Sequence, residues 1–341
     1  DALAEIQARL QAASTTEPQY ASIQPMLDEL ATTQGQIDPV VQAEDFEQAL
    51  DLVKGLSTQL DAIEQAKAYF TYMPTYWRHD PPTYEAVAPA HDLDASIVPA
   101  EDTMGYDIHR VIDCLVDAES FFEVKPLFAP EMVVGFGLMD GSPVGFVANN
   151  PMIKGGVLFT DTADKAARFI WCCDAFNIPL IFLADVPGFM IGTEVERQGI
   201  IRHGAKMITA VSEATVPKIS VVLRKAYGAG LYAMSGPAFE PEATIALPTA
   251  KIAVMGPEAA VNAVFANKIA AIEDLDEREA FILEQRRIYE EDVDLLRLGS
   301  ELVIDAVVQW GDLRTEITRR LTRAAGKTRV FTDRRHGVPP V

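Results

Sequence analysis

The sequence has 341 residues, of which 49% are hydrophobic and 23% charged, so the chain can bury a large core and is not disordered. Aspartate and glutamate (50) outnumber lysine and arginine (29), and the formal net charge of −21 argues against nucleic acid and anionic lipid as partners. The charge leaves open a salty or crowded environment, or a face for a basic subunit. No apolar run reaches the length of a membrane span and no export signal opens the sequence, which predicts a cytoplasmic location, or the mitochondrial matrix in a eukaryote.

The first hundred residues differ from the rest of the chain. Apolar residues recur at helical spacing from Phe46 to Phe70, which predicts a helical arm over residues 1–72. Residues 73–105 are rich in proline and predict an irregular connector to a third region, residues 106–341. The composition of the arm does not indicate a catalytic or binding role.

From Tyr106 onwards, short apolar runs alternate with helical patterns. The run MVVGFGLMDGSPVGFVANN predicts a hairpin that turns at Asp140–Gly141. Helices are predicted at 106–117, 163–177 and 200–214, with buried strands at 178–185 and 217–223, a strand pair at 244–255 and charged helices after 276. Apolar strands that alternate with helices are typical of a parallel sheet covered by helices.

Two neighbouring strands of this sheet end in glycine-rich turns. One strand runs into DVPGF, with Gly188, and the next into YGAG, with Gly228 and Gly230. Glycine lets a ligand approach the backbone, and a helix that starts there presents unpaired N–H groups to an anion. The alternative for each turn is an ordinary close-packed junction between a strand and a helix. The three cysteines and five histidines form no cluster with the spacing of a metal site, so no metal is predicted.

Four segments together resemble the carboxyltransferase (beta-type) subunit of biotin-dependent acyl-CoA carboxylases. They are D-V-P-G-F (185–189), A-T-V-P-K (214–218), R-K-A-Y-G (224–228) and T-A-K-I-A-V-M-G-P (249–257), in the family's order and spacing. The resemblance runs from about Tyr106 to the terminal HGVPPV and matches the C-terminal half of such subunits. It implies a crotonase-like α/β spiral with parallel sheets flanked by helices, here preceded by the helical arm.

The resemblance implies a carboxyltransferase component that moves CO2 from carboxybiotin to the carbanion of an acyl-CoA thioester. Biotin on a separate carrier and acyl-CoA are the implied cofactor and substrate, with no metal in this subunit. In the family, backbone N–H groups stabilise the negative charge that develops on the biotin ureido oxygen and on the thioester enolate. The implied partners are a biotin carboxylase, a biotin carrier subunit and further copies of the chain in a trimer-based hexamer.

The resemblance also implies roles for individual residues. The N–H groups of Ala229 and Gly230 correspond to the oxyanion hole for the ureido oxygen, and Gly188, Phe189, Gly228 and Tyr227 to the biotin pocket around it. Tyr232 stands where propionyl- and acetyl-type members often carry aspartate and methylcrotonyl-type members carry tyrosine, which makes it a candidate for acyl-group selection. Its alternative is an aromatic residue in the pocket wall.

Four cations near these turns are candidate contacts to phosphates or to the carrier. They are Arg202, Lys206, Arg224 and Lys225, and the alternative is that they are merely solvated.

Nothing before residue 106 resembles the half that holds the acyl-CoA, and no second glycine-rich junction occurs there. Two explanations stay open: a fragment of a longer chain, or a natural split in which the other half is a separate subunit. Shared motifs also leave a biotin-dependent acyl-CoA decarboxylase or transcarboxylase subunit as an alternative function. A non-catalytic scaffold paralogue is a further alternative, although the intact Y-G-A-G turn argues against it.

Overall fold

The computed structural model describes residues 32–33, 35–36, 46–292 and 294–326. Most of the predicted helical arm before residue 46, together with residues 327–341, therefore lies outside the described residues. The chain divides into two compact units, residues 1–82 and 83–341. In the first unit, helix α1 spans Phe46–Thr71, as the helical spacing of its apolar residues predicts. No helix of the described residues is long and apolar enough to cross a membrane.

The second unit alternates strands and helices. It opens with α2 (His109–Leu115), and its first three strands are β1 (Phe122–Glu123), β2 (Met132–Met139) and β3 (Ser142–Asn149). The elements that follow β3 are, in chain order, α3 (Thr160–Ala175), β4 (Leu180–Val186), α4 (Thr193–Arg197), α5 (Ile200–Glu213), β5 (Lys218–Tyr227), α6 (Ala229–Ala233), β6 (Ala243–Ala246), β7 (Lys251–Ala253), α7 (Pro257–Ala271), α8 (Leu275–Asp292), α9 (Leu295–Ser300), β8 (Ala306–Val307) and α10 (Leu313–Ala324).

The strands form one sheet of eight, in the order β1-β2-β3-β4-β5-β6-β8, with β7 paired to the far end of β5. The β1–β2 and β2–β3 pairs are antiparallel, and every pair from β3 onwards is parallel. All residues of β4 and β5 are buried, which explains the apolar runs at 180–184 and 221–223. The predicted parallel sheet and the hairpin at Asp140–Gly141 are both confirmed.

Asp117 anchors the hairpin turn from a buried position. Its carboxylate accepts hydrogen bonds from the backbone N–H groups of Asp140 (3.0 Å) and Gly141 (2.8 Å). It also accepts one from the guanidinium of Arg314 in α10, at 2.6 Å. A buried carboxylate needs such partners to stay charged, so this ion pair joins α10 to the antiparallel edge of the sheet.

His109, at the start of α2, lies between two carboxylates. Its ring nitrogens are 2.6 Å from Asp107 Oδ1 and 2.8 Å from Glu123 Oε2, so a protonated ring donates to both. The hydrogen bond to Glu123 does most to raise the pKa of His109 to about 9, while partial burial opposes the rise and Asp107 adds to it.

This raised pKa predicts a pH-dependent stability. Because the folded pKa exceeds the ordinary value of 6.5, the stabilisation is complete below that pH and is lost as the pH rises through about 9. Because 34% of the His109 side chain is exposed, solvent screens its ion pairs. We therefore expect the free energy of unfolding to fall by about 1–2 kcal/mol, which is less than the full pKa shift would give. Urea unfolding of His109→Gln from pH 6 to 10 should lack this loss, whereas exposed His91→Gln should keep it. An identical pH dependence in His109→Gln and wild type would contradict the assignment.

Candidate active site

The two glycine turns meet at one edge of the sheet. Strands β4 and β5 are parallel neighbours that stay paired as far as Val186 and Ala226. The turns that follow them are therefore adjacent, and a Cβ atom built on Gly230 would lie 3.0 Å from the Cα of Gly188. The structure thus brings the turns together, as parallel strand ends predict.

The turn after β5 depends on glycine at position 228. Gly228 has φ +53°, and a Cβ atom there would lie 2.7 Å from the carbonyl oxygen of Val254. Its N–H donates to the carbonyl of Ala253 in β7 (2.9 Å), which fixes the turn where α6 begins. The next two N–H groups, of Ala229 and Gly230, form no hydrogen bond with any described residue. Within the described part of the chain they are therefore two backbone donors without an acceptor.

The turn after β4 forms the opposite wall. Gly188 has φ +133°, and its carbonyl accepts from the N–H of Leu158 (3.1 Å). The N–H of Met190 returns a bond to the carbonyl of Leu158 (2.8 Å), so Phe189 is held between two backbone bonds. The Phe189 ring packs over Gly204 of α5, where a Cβ atom would lie 2.9 Å from it.

Between these walls lies a groove of about 410 Å³. It is almost wholly apolar and is lined by Phe189, Met190, Ile191, Glu196, Ile200, Ile201, Gly204, Ala205, Ile208 and Ala229. Ile191 and Ile201 on its rim are more than 80% exposed. The groove thus combines an apolar surface with Ala229, whose N–H has no acceptor among the described residues, which suits a flat ring with a polar oxygen.

The family model of the carboxyl transferase domain matches residues 55–339 of this chain. The chain belongs to the carboxyl transferase family. The match begins at residue 55, so it extends further towards the N-terminus than the motifs after Tyr106 indicate. Among the described residues, no group of three His, Cys, Asp or Glu side chains is placed to hold a metal ion.

Curated relatives and a solved structure agree with this membership. This chain is 56% identical over 286 residues to an uncharacterised carboxylase, YngE, of Bacillus subtilis, covering 83% of the chain and 56% of YngE. It is 39% identical over 288 residues to the carboxyltransferase subunit of propionyl-CoA carboxylase from Haloferax mediterranei, covering 83% of the chain and 55% of that subunit.

A crystal structure of transcarboxylase 12S matches with a TM-score of 0.76 at 38% identity, over 83% of the chain and 54% of that protein. It is described as a hexamer assembly with methylmalonyl-coenzyme A and methylmalonic acid bound. The match confirms the crotonase-like α/β fold. This chain spans about half the length of these relatives.

The two tyrosines lie apart from the groove. The ring of Tyr227 packs against Gly256, 3.2 Å from a Cβ built there, and faces a separate cavity of about 290 Å³. Only its carbonyl approaches Gly188, at 4.0 Å from the Cβ position. Tyr232 of α6 is 45% exposed, and its ring meets the edge of Phe239 with centroids 6.0 Å apart.

The four candidate cations fall into two pairs. Arg202 is exposed on α5, and Lys206 is bound to Asp164 (2.9 Å), which also contacts His203. Arg224 and Lys225 are buried, and both bind Asp185. Because Arg224 and Lys225 are paired inside the sheet, they are not placed to contact a phosphate or a carrier, whereas that role stays a prediction for Arg202 and Lys206.

The sequence reading missed the polar groups beneath the turns. The side chain of Asn149 donates to the carbonyl of Gly156 (3.2 Å) and accepts from the N–H of Asp185 (3.3 Å), so it ties β3 to β4. Burial raises the pKa of Asp185, while the charges of Lys225 and Arg224 oppose the rise. The sequence feature that indicates these buried groups is a set of charged residues at the ends of two largely apolar strands.

Proposed function

We propose that this chain is the carboxyltransferase component of a biotin-dependent acyl-CoA carboxylase. One observation supports the proposal above the others: in a member of the carboxyl transferase family, the N–H groups of Ala229 and Gly230 lack an acceptor among the described residues, and Ala229 lines an apolar groove. Bound there as carboxybiotin, the cofactor supplies the carboxyl group.

The residues of the groove fit a flat bicyclic ring. Gly188 and Gly228 adopt the positive φ angles that the two turns require, and the ring of Phe189 with Ile200 offers an apolar face. The N–H groups of Ala229 and Gly230 donate to the ring's carbonyl oxygen and stabilise the charge that develops on it. A second wall over the groove would keep water away from these donors, which would strengthen both hydrogen bonds.

The second wall of the active site, which holds the acyl-CoA, belongs to the half of the protein that the relatives have in addition to this region. That half either continues this chain or is a separate subunit, and the assembly is a trimer-based hexamer of paired halves, served by a biotin carrier and a biotin carboxylase.

Transfer of a labelled carboxyl group from malonyl-CoA or methylmalonyl-CoA to free biotin, with both halves present, tests the proposal. Absence of transfer by the assembled enzyme would refute it.

Tyr232 is proposed to shape the choice of acyl group. It lies two residues after Gly230 on α6, and its half-exposed ring is free to border a thioester held by a second wall. Tyr232→Asp should change relative kcat/KM among propionyl-, acetyl- and branched enoyl-CoA by about 1–3 kcal/mol. Tyr232→Phe keeps the ring and its contact with Phe239, so it should retain the wild-type ranking. The same ranking in Tyr232→Asp would remove Tyr232 from selection.

A further inference from the structure

Strands β4 and β5 lose their regular pairing just before the two glycine turns. Ala184 pairs with Val222, and Val186 pairs with Ala226. One residue of β4, Asp185, therefore faces the three residues 223–225 of β5. Bulges of this kind bend a strand and re-aim the residues that follow it. This one lies three residues before Gly188 and directly before the turn at Gly228.

A buried arginine fills the bulge. The Nε atom of Arg224 donates to Asp185 Oδ2 at 3.0 Å, and both side chains are almost wholly buried. Its Nη1 atom lies within hydrogen-bond distance of three backbone carbonyls, those of Pro99 (3.1 Å), Glu101 (2.6 Å) and Met104 (2.9 Å), and two of these carbonyls share one of its two hydrogens. One guanidinium thus joins the end of β4, the end of β5 and the segment 99–104.

Two lysines extend this network to β7. Lys225 Nζ donates to the Asp102 carbonyl at 2.9 Å and lies 3.6 Å from Asp185 Oδ1. Lys251, which pairs with Lys225 across β5 and β7, binds the carboxylate of Asp102 at 3.1 Å. Because β7 also accepts the N–H of Gly228 through Ala253, the network reaches the turn that carries the two unpaired donors.

Stability alone is a weak reason for such a cluster. Removing two charges from water costs several kcal/mol, and well-packed apolar residues often replace a buried ion pair without loss of stability. An apolar pair would not reproduce the geometry of these hydrogen bonds. A planar guanidinium sets the angles at which the carboxylate and the three carbonyls lie around it. A small rotation at the bulge would move Gly188 relative to Gly230, whose backbones are in contact.

We infer that Arg224 is a positioning residue, which holds the ends of β4 and β5 so that the N–H groups of Ala229 and Gly230 point into the groove. The inference rests on the proposed function, since it assigns Arg224 a task in carboxyl transfer. Arg224 acts through Asp185 and the segment 99–104, and its side chain does not line the groove.

The test compares Arg224→Met and Arg224→Lys with a matched ion pair elsewhere in the fold. Arg314 also donates to a buried carboxylate, Asp117, and to a backbone carbonyl, that of Leu115 (3.0 Å). Arg314→Met therefore removes a similar set of bonds on α10, at the hairpin rather than at the glycine turns. Each variant is assayed as the assembled enzyme with both halves present, together with its Tm.

We expect Arg224→Met to lower kcat for carboxyl transfer by about 10-fold to 100-fold, as a displacement of 1 Å at the donors would do, with KM for acyl-CoA changed by less than about 2-fold. Arg224→Lys, which keeps a cation beside Asp185, should recover part of kcat. Arg314→Met should lower Tm and leave kcat per folded enzyme unchanged. Equal kcat in the two Met variants would overturn the inference, and Arg224→Lys decides the matter if Arg224→Met does not fold.

A second measurement does not need turnover. In the full chain labelled with ¹⁵N-glycine and ¹⁵N-alanine, Arg224→Met should shift the amide signals of Gly188, Ala229 and Gly230, and Arg314→Met should leave them in place. Unmoved signals in Arg224→Met would overturn the inference even if its kcat fell. Should the assembled wild-type enzyme transfer no carboxyl group, the proposed function fails, and shifted signals would still support the positioning of the turns by Arg224.

Discussion

Gly230→Pro is expected to lower kcat for carboxyl transfer by about 100-fold to 1000-fold, because proline lacks the N–H that would donate to the biotin carbonyl oxygen. This corresponds to the loss of one oxyanion-hole donor, about 3–4 kcal/mol of transition-state stabilisation. Near-normal turnover in a folded variant would refute the role of Gly230.

The structure shows which controls this substitution needs. A Cβ atom at Gly230 would lie 3.0 Å from both Gly188 Cα and Val186 Cγ2, so proline adds crowding to the loss of the donor. Gly230→Ala adds a Cβ atom at the same position and keeps the N–H, and its kcat therefore measures the cost of crowding alone.

Ala229→Pro offers the converse control. Ala229 is exposed and is the first residue of α6, a position that proline favours, so the substitution removes a donor with little crowding. We expect its kcat to fall by about 100-fold, with a Tm close to that of the wild type. A drop in Gly230→Ala as large as in Gly230→Pro, with normal turnover in Ala229→Pro, would show that shape and not hydrogen bonding explains the result.

Local patterns predicted most of the fold. The Asp140–Gly141 pair marked the hairpin turn, and the apolar run 178–185 predicted a buried strand whose observed bounds are Leu180–Val186. Gly188, Gly228 and Gly230 marked the site, since parallel strands place the turns at their carboxyl ends together whatever side chains surround them. These features depend on residues that are close in sequence, so local sequence patterns can predict them.

Local sequence patterns do not predict where β5 ends. The apolar run stops at Leu223, yet the strand continues through Arg224 and Lys225 to Tyr227. Two cations can enter the sheet because Asp185 and the carbonyls of segment 99–104 neutralise and hold them, and that segment lies about 120 residues earlier in the sequence. The strand propensity of neighbouring residues contains no information on such a distant partner. The sequence pattern therefore predicts too short a strand and places the two cations at the surface.

Assayed alone, the 341-residue chain is expected to bind a biotin analogue weakly and to transfer no carboxyl group. Charge develops at two places during transfer, on the biotin ring and on the thioester, and each needs its own donors. The turn after β5 offers the N–H groups of Ala229 and Gly230 for the first. On the proposed function, the donors for the thioester come from the part of the relatives that this chain does not span.

The exposed rim of the groove supports this expectation. Ile191 and Ile201 stand more than 80% exposed beside the donors, so a bound ring would keep one side in water. Water competes for the two N–H groups and weakens their effect, and a second wall would exclude it. Adding the other half, as a subunit or as continuous sequence, should therefore restore transfer from malonyl-CoA or methylmalonyl-CoA to free biotin and tighten analogue binding in titration calorimetry. Clear decarboxylation by the isolated chain, lost in Ala229→Pro, would show that residues 1–105 contain a thioester site of their own.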